Sequence, residues 1–304
     1  MPFYEKNNQI IHFIHIPKAG GTSVRRLLEG NGWSSVKLPR FFDDGSGRQI
    51  DGHMPRSYWQ DLEISKNVSY EFAIVRDPVR RCMSHINMTL SHQFDLAKKI
   101  IEKIPEGRLP DEYYSNDEKD TIRQIISMLD FWPRADVEQV HFSDLIQNLW
   151  FYTNKTLETI SFDDFDFRNR VFYVKNYIEK TCEIKYENLT WEHLLTWFFN
   201  YYDNLYDTYE TNGVSPDPQH LYVSDSTRIF KLENKYVDLE NELKNLGIIS
   251  EKSKVGEFNR KPKVFQVSNS FNLDQNFNLK KRWFELYDKD YELFDYEKCT
   301  KFGR

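Results

Sequence analysis

The sequence predicts an α/β protein: a parallel sheet flanked by helices, interrupted by a helical insertion. Two observations predict it. Apolar, β-branched runs at 10–16 and 72–75 are each followed by a turn and then by a helical pattern. Strands alternating with helices in this way place parallel strands side by side with helices on their faces. At 304 residues the chain is long enough for one large domain carrying an insertion.

The elements follow in order. Pro17 ends the first strand, Gly20-Gly21 provides a tight turn, and Thr22-Ser23 is expected to cap a helix that begins near Val24 and runs to residue 30. A short strand near 50–53, a helix over 55–62 and a strand over 71–75 come next. Asp77 caps the following helix, 78–93, with Pro78 at its first position. Residues 92–215 are acidic and aromatic, with helical segments at 121–129, 144–152 and 191–209; Trp191, Trp197, Phe198, Tyr201 and Tyr202 read as core. After Pro216-Asp-Pro218 the α/β pattern resumes, with strands at 221–223 and 228–232 and helices at 235–246 and 277–294. The expected organisation is therefore a first core segment, 1–91, an insertion, 92–215, and a second core segment, 216–304. Residues 250–276 read as a polar loop carrying Arg260, Lys261 and Lys263, basic enough to close over an anion or to remain solvated.

Composition narrows the function classes. Aromatics make up 16% of residues, yet mean hydropathy is −0.70, and no run of 18 apolar residues occurs. A cytoplasmic protein without a signal peptide or membrane span is expected. Cys82, Cys182 and Cys299 have no metal-ligand spacing and cannot all pair, which suits a reducing compartment. Sequons at Asn67, Asn87, Asn154 and Asn188 read as chance matches, since Asn87 falls on a helix. The net charge is −6, but residues 1–100 carry 14 Lys and Arg against 10 Asp and Glu, and the rest carry 27 against 37. A basic excess confined to one segment suits a small polyanion and argues against nucleic acid, which favours a basic chain.

Two motifs carry the chemistry. In His15-Ile-Pro-Lys-Ala-Gly-Gly-Thr-Ser23 a strand, a glycine turn and a helix start converge on an anion, because free N–H groups and the helix dipole favour negative charge there. A nucleotide-triphosphatase loop has lysine after its glycines, whereas Lys18 precedes them. In Val75-Arg-Asp-Pro-Val-Arg-Arg-Cys-Met-Ser84, Arg76 stands at a strand's carboxyl end, where ligands of open α/β sheets bind, and Ser84 lies about two turns into the next helix.

Together these segments resemble the sulfotransferases that use 3′-phosphoadenosine 5′-phosphosulfate (PAPS), closest to the heparan/dermatan 2-O-sulfotransferase branch and its bacterial relatives. That family's loop reads H-I-P-K-T-G-G-T-S, from which Ala19 is the one departure, and its second motif reads V-R-D-P-V-x-R-x-x-S. Pro218–Val223, Ile229–Asn234 and Leu286–Tyr296 also look familial, so the resemblance covers roughly residues 10–90 and 216–297. It implies a P-loop-like fold and PAPS as co-substrate, with no metal. Lys18 would contact the bridging or sulfuryl oxygens. Backbone and hydroxyl groups across Ala19, Gly20, Gly21, Thr22 and Ser23 would cradle the 5′-phosphate, and Arg76 and Ser84 would hold the 3′-phosphate.

The acceptor hydroxyl needs a base. The family carries H-G-H where this chain has Asp51-Gly52-His53. His53 is the expected base, since histidine titrates near neutral pH; Asp51 either orients it or replaces it. His15 flanks the loop and is expected to pack in the sheet. No H-E-x-x-H, C-x-x-C or Asp cluster suggests a metal site. The leading expectation is an O-sulfotransferase acting on a hydroxyl, most plausibly of a glycan. The alternatives are a kinase-like phosphotransferase, which lacks a recognisable magnesium aspartate here, and a non-catalytic PAPS- or glycan-binding protein.

Overall fold

The structure, a computed structural model, describes residues 3–36, 55–88, 115–131, 190–206, 217–256 and 270–303. Contacts divide the chain into two compact units: Met1–His85 with Tyr201–Arg260 and Asn272–Lys301, and Ile86–Asn200 with Lys261–Phe271 and Phe302–Arg304.

The first unit contains a five-stranded sheet. Its strands are β1 (Phe3–Lys6), β2 (Gln9–Ile14), β3 (Ser34–Ser35), β4 (Tyr70–Val75) and β5 (Arg228–Lys231), in the order β3-β1-β2-β4-β5. The expectation of a parallel sheet is corrected: the sheet is mixed. β2, β4 and β5 are parallel, whereas β1 pairs antiparallel with both β2 and β3. The N-terminal hairpin was legible in retrospect. Lys6 pairs with Gln9, and the two residues between them, Asn7 and Asn8, have φ of 50° and 61°. A two-residue turn with both φ positive matches the twist of the strands it joins, and asparagine tolerates that conformation.

Helix α1 spans Gly21–Gly30, and a second helix, α2, covers 78–88 in the described residues. Helices α5 (Val237–Asn245) and α6 (Phe277–Leu293) follow later in the chain. Phe13, Phe72 and Phe230 form an aromatic row across the parallel strands, with ring centroids 5.1 and 6.2 Å apart. Val24, Leu27 and Leu28 of α1 and Leu239 and Leu243 of α5 join this core. The Tyr70 hydroxyl, beside the row, donates to Glu242 of α5 at 2.7 Å. Asp77 caps α2 as expected: its carboxylate accepts from the Arg80 N–H at 2.8 Å.

Elsewhere the local readings change. The helix expected over 55–62 does not form: Arg56–Tyr58 is a 3-10 segment followed by turns, and a second 3-10 segment, Glu63–Asn67, lies just beyond it. The strand expected at 221–223 is a 3-10 turn, Gln219–Leu221, which follows Pro218. The elements expected at 50–53 and 144–152 lie outside the described residues, as do Arg260, Lys261 and Lys263.

Of the second unit, the described residues include helix α3 (Asn116–Phe131) and most of α4 (Trp191–Tyr206). A reciprocal box starts α3: Ser115 and Glu118 each accept the other's backbone N–H, at 2.9 and 3.2 Å. Trp191, Leu194, Leu195, Phe198 and Phe199 are buried at helical spacing along one stripe of α4. Trp191 and Phe198 are thus core residues, as expected. The side chains of Trp197, Tyr201 and Tyr202 lie outside the description. No helix among the described residues is long and apolar enough to cross a membrane.

Two buried histidines set a pH dependence. His12 of β2 is stacked on Phe3, with centroids 4.0 Å apart, and its Nδ1 lies 3.0 Å from Glu71. Burial lowers its pKa, outweighing the carboxylate beside it. His85 of α2 is pushed down to about 3 by burial and by the charges of Arg81 and Lys18. His85 is neutral when folded and binds a proton near pH 6.5 when unfolded, so the unfolded state takes up more protons below that pH; the lowered pKa of His12 acts in the same direction. Stability is expected to be full above pH 6.5 and to fall as the pH drops below it, by up to about 1.4 kcal/mol per pH unit from His85. Urea midpoints between pH 7 and 5 check this, and a His85→Leu variant should show a shallower slope.

Candidate functional site

The three parallel strands end along one edge of the sheet, and each delivers a segment to the same place. After β2 comes the 16–20 loop, after β4 come Arg76 and Asp77, and after β5 come Leu232–Asn234 and Tyr236.

The loop is bent by two left-handed residues, Lys18 with φ 66° and Gly20 with φ 87°. Alternating left- and right-handed residues turns successive N–H groups towards one side, and such concavities bind anions. Helix α1 starts at Gly21 with Gly20 as its cap residue and no side-chain capping bond. This corrects the expected start near Val24 and the capping role for Thr22 and Ser23. The left-handed glycine makes the turn by itself, three residues earlier. The first amides of a helix have no acceptor within it, and here these include those of Gly21 and Thr22. Ser23 is buried, and its N–H donates to the Gly20 carbonyl at 3.2 Å.

Both glycines are fixed by neighbours. A Cβ on Gly20 would lie 2.4 Å from the Tyr236 hydroxyl, which itself donates to the Gly20 carbonyl at 3.2 Å. A Cβ on Gly21 would lie 1.9 Å from His15 Cδ2. His15 follows the end of β2 at Ile14; its half-buried imidazole stacks on Phe13 of that strand, with centroids 5.8 Å apart, and also lies against the loop.

The second motif closes on the first. Arg76 Nη1 donates to the Lys18 carbonyl at 3.2 Å, and the buried Arg81 donates through Nε to the Pro17 carbonyl at 2.9 Å. The Lys18 side chain is half-buried, and its charge, with that of Arg81, acts on His85. Three cations, Lys18, Arg76 and Arg81, are thus gathered on the loop. Burial lowers the pKa of Arg76, opposed by the nearby Glu233 carboxylate. Burial raises the pKa of Asp77, which faces Glu233 as well as Arg76 and Arg80.

The backbone at the β4 exit is held by side chains. The Arg76 N–H donates to Gln219 Oε1 at 2.9 Å, and Gln219 Nε2 donates to the Arg76 carbonyl at 2.7 Å. The Asp77 N–H donates to Glu233 Oε1 at 3.1 Å, while Glu233 Oε2 accepts from the Tyr296 hydroxyl at 2.8 Å.

Of the residues expected at the site, Lys18, Ala19, Gly20, Gly21, Thr22, Ser23 and Arg76 come together, with Ala19 fully buried. Ser84 lies half-buried on α2 next to His85. Asp51 and His53 lie outside the described residues. The sequence reading missed Arg81, Gln219, Glu233 and Tyr236. Arg81 lay inside the second motif, and Gln219 inside the Pro218–Val223 segment noted for its likeness, but nothing in the sequence gave either a role. Among the described residues no group of three or more His, Cys, Asp or Glu is arranged to hold a metal ion.

No protein-family model, no curated protein and no solved structure matches the chain.

The close approach of His15 to Gly21 can be tested directly. Gly21→Ala should lower stability by roughly 1–3 kcal/mol, the usual cost of overpacking. In a His15→Ala background that loss should largely vanish, a coupling that a double-mutant cycle on urea midpoints measures. Equal losses in both backgrounds would place the strain elsewhere.

Proposed function

We propose that this chain is a PAPS-dependent O-sulfotransferase of the 2-O-sulfotransferase-like kind, with a P-loop-like nucleotide site and no metal. It moves the sulfuryl group of PAPS to an acceptor hydroxyl, and a saccharide is the acceptor class we infer. What supports the reading most is the bond from Arg76 to the Lys18 carbonyl, which brings the glycine loop and the R-D-P motif into one cation-lined site. The donor set suits a nucleotide with two separate phosphate charges: the helix start for one and an arginine at the neighbouring strand end for the other. Free Cys82 and Cys299 and the absence of a nucleic-acid-like basic chain accord with a cytoplasmic enzyme acting on a small polyanion.

In this reading Lys18 stabilises the negative charge that grows on the bridging oxygen as the sulfuryl group departs. The backbone N–H groups of Gly20, Gly21 and Thr22 and the Thr22 and Ser23 hydroxyls hold the 5′-phosphate, and Arg76 and Ser84 hold the 3′-phosphate. His53 accepts the proton of the attacking hydroxyl, with Asp51 orienting it or standing in as base.

Transfer of labelled sulfate from PAPS to a panel of oligosaccharides, phenols and lipids tests the proposal. Lys18→Ala should lower kcat about 100- to 1000-fold with the fold intact, as loss of an electrostatic stabiliser commonly does; a near-normal kcat removes Lys18 from the mechanism. His53→Ala should lower kcat about 100- to 10,000-fold and abolish its fall at acidic pH, since the neutral imidazole is the reactive form. An unchanged rate with an unchanged acidic limb would shift the role to Asp51. Phosphoryl transfer from ATP with no turnover of PAPS would replace the proposal by a kinase-like one.

A further inference from the structure

The Arg76 backbone is held by one side chain at both of its polar groups. Gln219 is fully buried, and its amide meets the Arg76 N–H at 2.9 Å and the Arg76 carbonyl at 2.7 Å. This amide therefore engages both backbone polar groups of the residue just past Val75, where β4 stops pairing with β5. The match is chemically narrow. A primary amide presents a donor and an acceptor side by side, whereas a carboxylate only accepts and a lysine only donates.

Gln219 is in turn held from the far end of the chain. Asp290 on α6 is fully buried. Its Oδ2 accepts from the Gln219 N–H at 2.8 Å and its Oδ1 from the His220 N–H at 2.8 Å. His220 Nδ1 also lies 2.8 Å from Oδ1. A buried carboxylate with this many donors is a rigid anchor, because any movement would strand a charge away from water. The sequence Asp290, Gln219, Arg76, Lys18 is thus one continuous chain of hydrogen bonds running from α6 to the anion loop.

We propose that Gln219, anchored by Asp290, is the positioning residue that aims the Arg76 guanidinium, and that this pair sets the selectivity for nucleotides bearing a 3′-phosphate. The inference rests on the reading of Arg76 as the 3′-phosphate ligand. Arg76 lies at the exit of β4, so the direction of its side chain follows from the backbone conformation of that residue. The backbone conformation follows from the Gln219 amide.

Calorimetric titration of the full chain with 3′-phosphoadenosine 5′-phosphate and with adenosine 5′-phosphate tests this, because the two ligands differ only in the 3′-phosphate. The wild type should prefer the first by roughly 10- to 100-fold, the worth of a charge-assisted contact, and Arg76→Ala sets the floor of that preference. Gln219→Met keeps the volume but loses both bonds. It should lower the preference about ten-fold while leaving affinity for adenosine 5′-phosphate within about two-fold. Asp290→Asn, which keeps the shape of the anchor but not its charge, should lower the preference by a smaller factor and serves if Gln219→Met does not fold.

A general structural role would weaken both ligands equally, and that result, or an unchanged preference, overturns the inference. So does failure of both variants to fold, which would assign the pair to stability. A wild type without any preference for the 3′-phosphate overturns the sulfotransferase reading itself. A preference that survives in the variants overturns only the role of Gln219 and Asp290.

Discussion

The position of β4 as the middle of three parallel strands is the constraint on which the rest depends. With β2 on one side and β5 on the other, the residue that leaves β4 stands between the loop after β2 and the turn after β5. Arg76 is that residue. Its guanidinium reaches the Lys18 carbonyl on the β2 side, while Glu233, from the turn after β5, binds the next backbone amide. A register slip of one residue would exchange the two faces of β4. It would take Phe72 out of the aromatic row and Glu71 away from His12, so the core and the site are specified together.

The loop itself is held under strain by its surroundings. A lysine in the left-handed region costs about 1 kcal/mol or more relative to ordinary backbone. Arg81 on the Pro17 carbonyl, Arg76 on the Lys18 carbonyl and Tyr236 on the Gly20 carbonyl offset that cost, each with a bond of 2.9–3.2 Å. Two of the three donors are cationic, so the bonds that hold the loop also concentrate positive charge on it. The neutral His85 fits this arrangement, because burial first, and then the charges of Arg81 and Lys18, disfavour a charge there. In the function we propose, an anion reaching the loop would meet groups already in place, with little ordering left to oppose binding.

Much of this was legible in the residues. The apolar runs of β2 and β4, the glycine turn, the Asp77 cap and the helices after 235 and 277 are local signals, and local chemistry fixes them. The N-terminal hairpin was missed because β1 has only four residues, although Asn7-Asn8 is a turn signal. The 55–62 segment carries a helical pattern but folds as one 3-10 segment, Arg56–Tyr58, followed by turns, with Trp59 buried just after it. The residues missed at the site share one property: their partners are distant in sequence. Gln219 lies 143 residues from Arg76, and Glu233 lies 156 from Asp77. No periodicity or motif spacing encodes such a pairing in a single sequence. Arg81 lay within the motif but was indistinguishable from Arg80 until the fold showed one buried and the other exposed.

In the function we propose, the glycine loop and the R-D-P segment form one site for a nucleotide with phosphates at both the 3′ and 5′ positions. Thermal unfolding of the wild type with 3′-phosphoadenosine 5′-phosphate, set against ATP with magnesium, tests it most directly, since a ligand that binds only the folded state raises the midpoint. We expect a saturable rise with the first ligand and none with the second. A rise with ATP and magnesium alone would contradict the account.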